Sequence, residues 1–255
     1  MLSKNKQKFI LSLSRKKIRE QNGMFVAEGT KLVTDLLQSS CNPKTLIATD
    51  DWLNHNQAVI GKTDELISAT TEELKKVSTL KSPPSVIGIF EQKQVKYSIH
   101  SLSSQLCLLL DEVQDPGNLG TIVRLADWFG IEHVFCSLNC ADIYNPKTIQ
   151  STMGAISRVN LHYVEPIKFL TAYKALNLPV YGTFLDGTNI YKQTLSNQGL
   201  IVMGNEGKGI SKEVEDFVNQ RLFIPSFPAD IPTSESLNVS VATAITCAEF
   251  RRQAK

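Results

Sequence analysis

The chain has 255 residues, enough for one large domain or for two modest ones that each bury a core. Hydrophobic residues make up 42% and charged residues 20%, the proportions of a soluble globular protein, and a net charge of +2 does not by itself announce a nucleic-acid binder. The longest apolar runs, Leu106 to Leu110 and Gly199 to Met203, are strand-sized and exclude a membrane-spanning helix.

The first twenty residues lack the continuous apolar core and small-residue cleavage site of a signal peptide. They are instead basic: Lys4, Lys6, Lys8, Arg15, Lys16, Lys17 and Arg19 all precede the first acid, Glu20. Such a block suits a phosphate backbone, and it equally suits a solvated amphipathic helix or a mitochondrial presequence. Residues 8–38 read as two helices around a turn at Asn22-Gly23, with Phe25-Val26-Ala27 a short extended piece. A strand follows at Thr45–Thr49 and a helix at Asp51–Ala58. Another helix starts at Thr70, where Thr70-Thr71-Glu72-Glu73 has the capping-box pattern. Ser85–Glu91, introduced by Pro83-Pro84, reads as a strand. The polar stretch Gln92–Gln105 then separates two halves; we place one domain at 1–97, a linker at 98–105 and a second domain at 106–255.

From Leu106 onward strand and helix patterns alternate. Leu106–Val113 is an apolar run that suits a strand buried on both faces, and a helix runs from Gly117-Asn118 to Phe129. Further strands are expected at His133–Cys136, Leu161–Val164, Val180–Leu185, Leu200–Gly204 and Arg221–Pro225, with helical stretches between and a last helix over Leu237–Arg252. This alternation predicts an α/β fold with a mostly parallel sheet and helices on both faces. Ligands in such sheets bind beyond the carboxyl ends of the strands, which directs attention to the residues after Val113, Leu185, Met203 and Ile224.

Three loops lie there. In Asp115–Gly130 (DPGNLGTIVRLADWFG), Asn118 lies at or near a helix N-cap, with Arg124 six residues on and partly enclosed by apolar neighbours. The second, Ile201–Ser211 (IVMGNEGKGIS), follows a strand with glycines at 204, 207 and 209, which let a ligand approach the backbone. Its spacing is not the dinucleotide fingerprint G-x-G-x-x-G, which argues against an oxidoreductase, and it lacks the ending of a phosphate loop. Glu206 inside that turn is a candidate functional carboxylate. In the third, Ser234 or Ser236 can cap a helix rich in small residues (Ala242, Ala244, Ala248), leaving the weak helix former Asn238 one turn inside. The five cysteines are odd in number and scattered, and no second Cys/His pair accompanies Cys136-x3-Cys140 at ligand spacing. Neither a disulfide framework nor a metal site is expected.

Taken in order, Asn118 with Arg124, then MGNEGKGIS, then IP…SLNVSVATAI closely resembles the three motifs of SpoU/TrmH-type methyltransferases of the SPOUT superfamily. The segments KKIREQNGMFVAEGTKLVTDLL and LKSPPSVIGIF resemble the substrate-binding domain often carried by that family, itself similar to ribosomal proteins that grip folded RNA. That match begins almost at the first residue, which weighs against a presequence. The resemblance implies a trefoil-knotted C-terminal sheet, a smaller N-terminal α/β domain, a homodimer formed through the C-terminal domain and a cytoplasmic protein without membrane association. It implies S-adenosylmethionine (AdoMet) as methyl donor, contacted by Gly204, Ile224 and Leu237, with Thr183 a further strand-end contact. Arg124 falls on the family's catalytic arginine, and Asn118, Glu206, Ser236 and Asn238 on its other polar positions. The reaction implied is methylation of a ribose 2′-hydroxyl in structured RNA, ribosomal RNA before transfer RNA; the rival is a catalytically silent RNA-binding protein of the same fold. Arg124 would serve as general base or as anchor for the neighbouring phosphate, and arginine's very weak basicity and forked donors bear on that choice. One departure stands out: SFPADIPTSE, residues 226–235, is a few residues longer than the family's usual segment.

Overall fold

The computed structural model describes residues 2–39, 41, 43–228 and 234–254. In chain order the first half comprises α1 (Lys4–Ser12), α2 (Lys16–Asn22), β1 (Met24–Glu28), α3 (Thr30–Gln38), β2 (Pro43–Ala48), α4 (Asp50–His55), β3 (Glu65–Ser68), α5 (Thr71–Lys75) and β4 (Val86–Glu91). Then follow β5 (Leu106–Leu110), α6 (Pro116–Trp128), β6 (His133–Ser137), α7 (Pro146–Thr152), β7 (Asn160–Val164) and α8 (Pro166–Tyr173). The chain continues with β8 (Val180–Asn189), β9 (Gly199–Met203), α9 (Lys212–Glu215), β10 (Gln220–Phe223) and α10 (Val239–Gln253). These elements form two compact units, Met1–Gln94 with Asp142–Arg158, and Val95–Ala141 with Val159–Lys255.

The first unit is built on a sheet of order β1-β4-β2-β3, with β4 antiparallel to β1 and β2, and β3 parallel to β2. Ile10, Leu13, Ile47, Leu74, Ile87 and Ile89 are among its buried side chains. The capping box at Thr70 forms as expected, with Thr70 and Glu73 each bonding the other's backbone N–H. Strand β3 was not expected, because ELIS is short and mostly exposed and carries little alternation. The basic block divides. Lys4, Lys8, Arg15, Lys16 and Lys17 are exposed, but Lys6 pairs with Glu65, and Arg19 is 2% exposed. Arg19 donates to the carbonyls of Leu13 (2.9 Å) and Ser14 (2.7 Å) and pairs with Asp142 at 2.5 Å. That buried pair helps to attach residues 142–158 to this unit, as does Tyr144, whose ring lies 5.0 Å from Phe25 and whose hydroxyl accepts from Lys93 N at 2.8 Å. The first unit therefore extends beyond the stretch 1–97 by a segment drawn from the later sequence.

The second unit is a six-stranded sheet of order β10-β8-β9-β5-β6-β7 in which every pairing is parallel. All five residues of β5, of β6 and of β9 are buried, the signature of strands covered on both faces. One core cluster gathers Cys107, Leu109, Phe135, Phe169, Leu200 and Val202. Leu102 joins it with 0% exposure, on a 3-10 turn over Ile99–Leu102. Residues 98–105 thus belong to the second unit, anchored to its core by Leu102 and half-buried Ile99, rather than forming a linker; their polar composition conceals these two apolar residues. The expected strand Val180–Leu185 continues to Asn189.

Candidate active site

In a parallel sheet the carboxyl ends of all strands share one edge, and here that edge is where the three loops converge. At the end of β5, Asp115 is the N-cap of α6: its side chain accepts from Asn118 N at 2.9 Å, and Pro116 occupies the first helical position with its φ already set. Asn118, expected at or near the cap, is the third residue inside the helix. Relieved of capping, its amide reaches across two loops. Nδ2 donates to Glu206 Oε1 at 3.0 Å, and Oδ1 accepts from Asn238 Nδ2 at 3.0 Å. One residue from each loop meets in a single chain of hydrogen bonds.

Asn238 is itself the N-cap of α10, its Oδ1 accepting from Ser240 N (3.0 Å), Val241 N (3.4 Å) and Ser240 Oγ (2.6 Å). This corrects the reading that placed it one turn inside a helix capped by Ser234 or Ser236. An asparagine outcompetes serine there because it caps with its oxygen while its amide still donates outward. Ser236 is exposed and lies outside the network.

Glu206 sits at the tip of the glycine loop. Burial pushes its carboxyl up, but the Asn118 amide and the backbone N–H groups of Glu206 itself, Asp115 and Gln114 outweigh it and hold the carboxyl below its usual range. Both oxygens are engaged, with Asp115 N at 3.3 Å from one and Gln114 N at 3.4 Å from the other. The loop that aims it is tightly closed: Asn205 and Gly209 exchange backbone hydrogen bonds of 2.9 and 3.0 Å. A Cβ on Gly204 would stand 2.2 Å from the carbonyl carbon of Gly209, so the closure requires glycine there.

Arg124 lies a turn and a half beyond Asn118 on α6 and is exposed, not enclosed. Its helix neighbours Ile122, Val123 and Ala126 are fully buried, so α6 is held by one face and presents Arg124 on another. Among the described residues no hydrogen bond or salt bridge engages its guanidinium.

Of the residues expected to contact a cofactor, Gly204, Ile224 and Thr183 lie at or near strand ends, and Leu237 lies in the third loop. Gly204 is buried directly after β9, Ile224 is half-buried directly after β10, and Leu237 is 47% exposed just ahead of α10. Thr183, half-buried on β8, donates to Met203 Sδ at 3.8 Å, which joins the ends of β8 and β9. It opens an irregular stretch of β8: Arg221 of β10 is opposite Gly182, and Leu222 is opposite Thr188. Arg221 spans the bulge, stacking on Phe184 at 3.6 Å and pairing with Asp186 and Glu215, both at 2.5 Å. Of the long segment 226–235, residues 229–233 lie outside the described residues.

Sequence reasoning missed Asp115, Asp111 and Asn205. Asp115-Pro116 is a legible helix start. Asp111, 3% exposed, accepts from Ser211 N at 2.7 Å and pins the far end of the glycine loop. Asn205 ties the loop to the segment after β5 by donating to Glu112 O at 2.8 Å, and accepts from Gly207 N and Lys208 N. Neither contact carries a local sequence signal.

The family model described as "SpoU rRNA Methylase family" matches residues 105–248. The chain belongs to this family. A second model, "MRM3-like substrate binding domain", matches residues 4–88. Among curated relatives, the 23S rRNA (guanosine(2553)-2′-O)-methyltransferase RlmP of Bacillus subtilis (strain 168) is 28% identical over 240 residues, 94% of this chain and 93% of its own. Among solved structures, a TrmH-family protein from Porphyromonas gingivalis superposes with a TM-score of 0.88 at 38% identity, covering 100% of both chains. An AdoMet-bound rRNA methyltransferase from Sinorhizobium meliloti gives 0.83 at 27%, covering 100% of this chain and 98% of its own. Family and fold thus agree with the reading of the three loops.

Proposed function

We propose that this protein transfers the methyl group of AdoMet to a ribose 2′-hydroxyl of ribosomal RNA. The observation that carries the proposal is the Glu206–Asn118–Asn238 chain of hydrogen bonds, which closes three motif loops at the carboxyl edge of a parallel sheet, with Arg124, unpaired among the described residues, on the same helix as Asn118. The substrate class is supported by the rRNA methyltransferases among the relatives and by the match to a substrate-binding domain.

Gly204, Ile224 and Leu237, with Thr183 behind them, would hold the cofactor; backbone polar groups and partly exposed aliphatic side chains suit an adenine and need supply no counter-charge. When bound, AdoMet supplies an already activated methyl on a sulfonium. The chain's own task is then to place the ribose hydroxyl in line and to fix the neighbouring phosphate. Arg124 is free to grip that phosphate with its fork of donors, and this role suits an exposed guanidinium better than proton abstraction does. Glu206 orients rather than accepts a proton, since its two oxygens are already occupied by donors. Asn238 and Asn118 transmit that orientation to α6, and exposed Ser236 is left to meet the RNA.

The C-terminal segment would complete the trefoil knot of the family, and the second unit would pair with a copy of itself. Support for pairing comes from Trp128, 83% exposed on α6, and from Val241, Ala244, Ile245 and Ala248, which make an apolar stripe at i, i+3, i+4 and i+7 on α10. Sedimentation at micromolar concentration should give a dimer; a fully active monomer would refute this part. A cytoplasmic site of action goes with the bacterial relative, and no helix among the described residues is long and apolar enough to cross a membrane. Mapping ribose methylations in rRNA from cells lacking the protein tests the whole reading. One 2′-O-methyl should disappear; an unchanged map would refute the reading.

A further inference from the structure

Helices α6 and α10 pack against each other, and they are joined by hydrogen bonds at both ends. At the amino ends the joint is Asn238 Nδ2 to Asn118 Oδ1, 3.0 Å. At the carboxyl ends the joint is Arg251. Its Nε donates to Phe129 O at 2.6 Å and its Nη2 to Gly130 O at 3.0 Å. Like ends are joined to like ends, so the helices run parallel. The spans between the joints are close: about 17 Å from Asn118 to Phe129 and about 20 Å from Asn238 to Arg251, a difference within the reach of the arginine side chain.

The carboxyl end of α6 explains why an arginine is needed there. Gly130, at φ +61°, ends the helix in a Schellman arrangement, with Gly130 N bonded to Asp127 O (3.2 Å) and Ile131 N to Ala126 O (2.8 Å). Those bonds satisfy two of the orphan carbonyls but not those of Phe129 and Gly130, which Arg251 takes with two donors of one fork. A cation there also complements the negative end of the helix dipole.

We infer that Arg251 is a positioning residue for the proposed methyl transfer: it locks the axial register of α6 against α10, so that Arg124 and Asn118 stay aligned with Asn238 and Glu206. With only the amino-end joint, α6 could slide or tilt by a fraction of a turn about Asn118. Arg124 would then swing relative to the reacting edge, while the cofactor-binding strand ends would be untouched. This inference rests on the functional reading given above, and it separates Arg251 from its neighbour Arg252, which pairs with Glu249 of its own helix at 2.6 Å and, among the described residues, makes no hydrogen bond to α6.

The test uses the full chain with Arg251→Ala and Arg251→Lys, assayed with methyl-labelled AdoMet and ribosomal RNA from cells lacking the protein. In Arg251→Ala, kcat should fall roughly 10- to 100-fold, the range expected for misplacing a reacting group by about an ångström. The affinity for AdoMet should stay within about threefold, because none of the residues assigned to the cofactor lies on α6. Arg251→Lys, which keeps a donor at the same place, should recover part of kcat. In parallel, hydrogen exchange of the Arg251→Ala variant should quicken both at 129–131 and along 118–124. A kcat loss explained wholly by unfolded protein or by lost AdoMet affinity would overturn the inference, as would exchange that quickens at 129–131 alone. If the parent protein transfers no methyl to RNA, the functional reading fails by itself, and the exchange pattern along 118–124 still decides the register lock.

Discussion

Arg19 and Arg124 look alike in the sequence, each a cation on an amphipathic helix, yet the structure treats them in opposite ways. Arg19 in the first unit is 2% exposed and spends its donors on two backbone carbonyls and Asp142. Arg124 in the second unit is exposed, with no partner among the described residues. The difference teaches how to divide charge between architecture and function. A cation that the fold buries and pairs through both terminal nitrogens has nothing left for a ligand, and removing it exposes the cost of the charge it neutralised. A cation held out by a buried helix face, at an edge where three loops meet, is spare for whatever binds there.

The contrast predicts a double dissociation, and its largest arm is structural. Arg19→Met should cost the first unit about 3–5 kcal/mol, because Asp142 is left without its counter-charge in a largely buried place. Thermal or urea unfolding measures this, and the surviving folded protein should bind AdoMet normally. A loss under about 1 kcal/mol would mean that Arg19 belongs with the surface block after all.

Arg124→Ala should do the reverse. Methyl transfer should fall by about 100-fold or more, on the scale of deleting one preorganised charged contact, while the unfolding midpoint and AdoMet affinity barely move. Single-turnover transfer and calorimetry on the same preparation separate the two quantities. Full activity would end the catalytic assignment.

How much of this was readable beforehand follows from the same contrast. The order of the strands from Leu106 onward, and the three loops at their ends, were legible because apolar runs and glycines are local signals. Which asparagine caps and which one bridges was not, since Asp115 displaces Asn118 from the cap and Asn238 displaces Ser234 and Ser236. Those choices depend on partners about 90 to 120 residues away, as with Asn118 to Glu206 and Asn238 to Asn118. The transfer of 142–158 to the first unit was hidden for the same reason, resting on Arg19–Asp142 and Phe25–Tyr144. Composition misled at 98–105, where Ile99 and Leu102 outweigh their polar neighbours.

Asn238→Ala sharpens the comparison inside the second unit. It removes an N-cap and a bridging donor together, so stability should drop by about 1 kcal/mol, while activity should fall further than that through misoriented Asn118. Asn238→Asp, which keeps the cap but cannot donate to Asn118, should restore stability without restoring activity. Equal recovery of both would show that the bridge has no functional part.

The smallest effect is on pH. The carboxyl of Glu206 is held below its usual range, so the order it lends the glycine loop is present at and above the ordinary glutamate value. It is lost only as pH falls through the depressed value. AdoMet affinity should therefore be flat from neutrality down to mildly acidic pH and weaken below it, and Glu206→Gln should flatten that acidic limb. A limb unchanged in the variant would assign it to another group.

Chemistry at the meeting point of the three loops can be read out in a single assay. Purified protein is incubated with methyl-labelled AdoMet and ribosomal RNA from cells lacking it, and the RNA is then digested to nucleosides. Label should appear in a single 2′-O-methylnucleoside and be abolished by Arg124→Ala. Label on a base, or none while AdoMet is demonstrably bound, would contradict this chemistry.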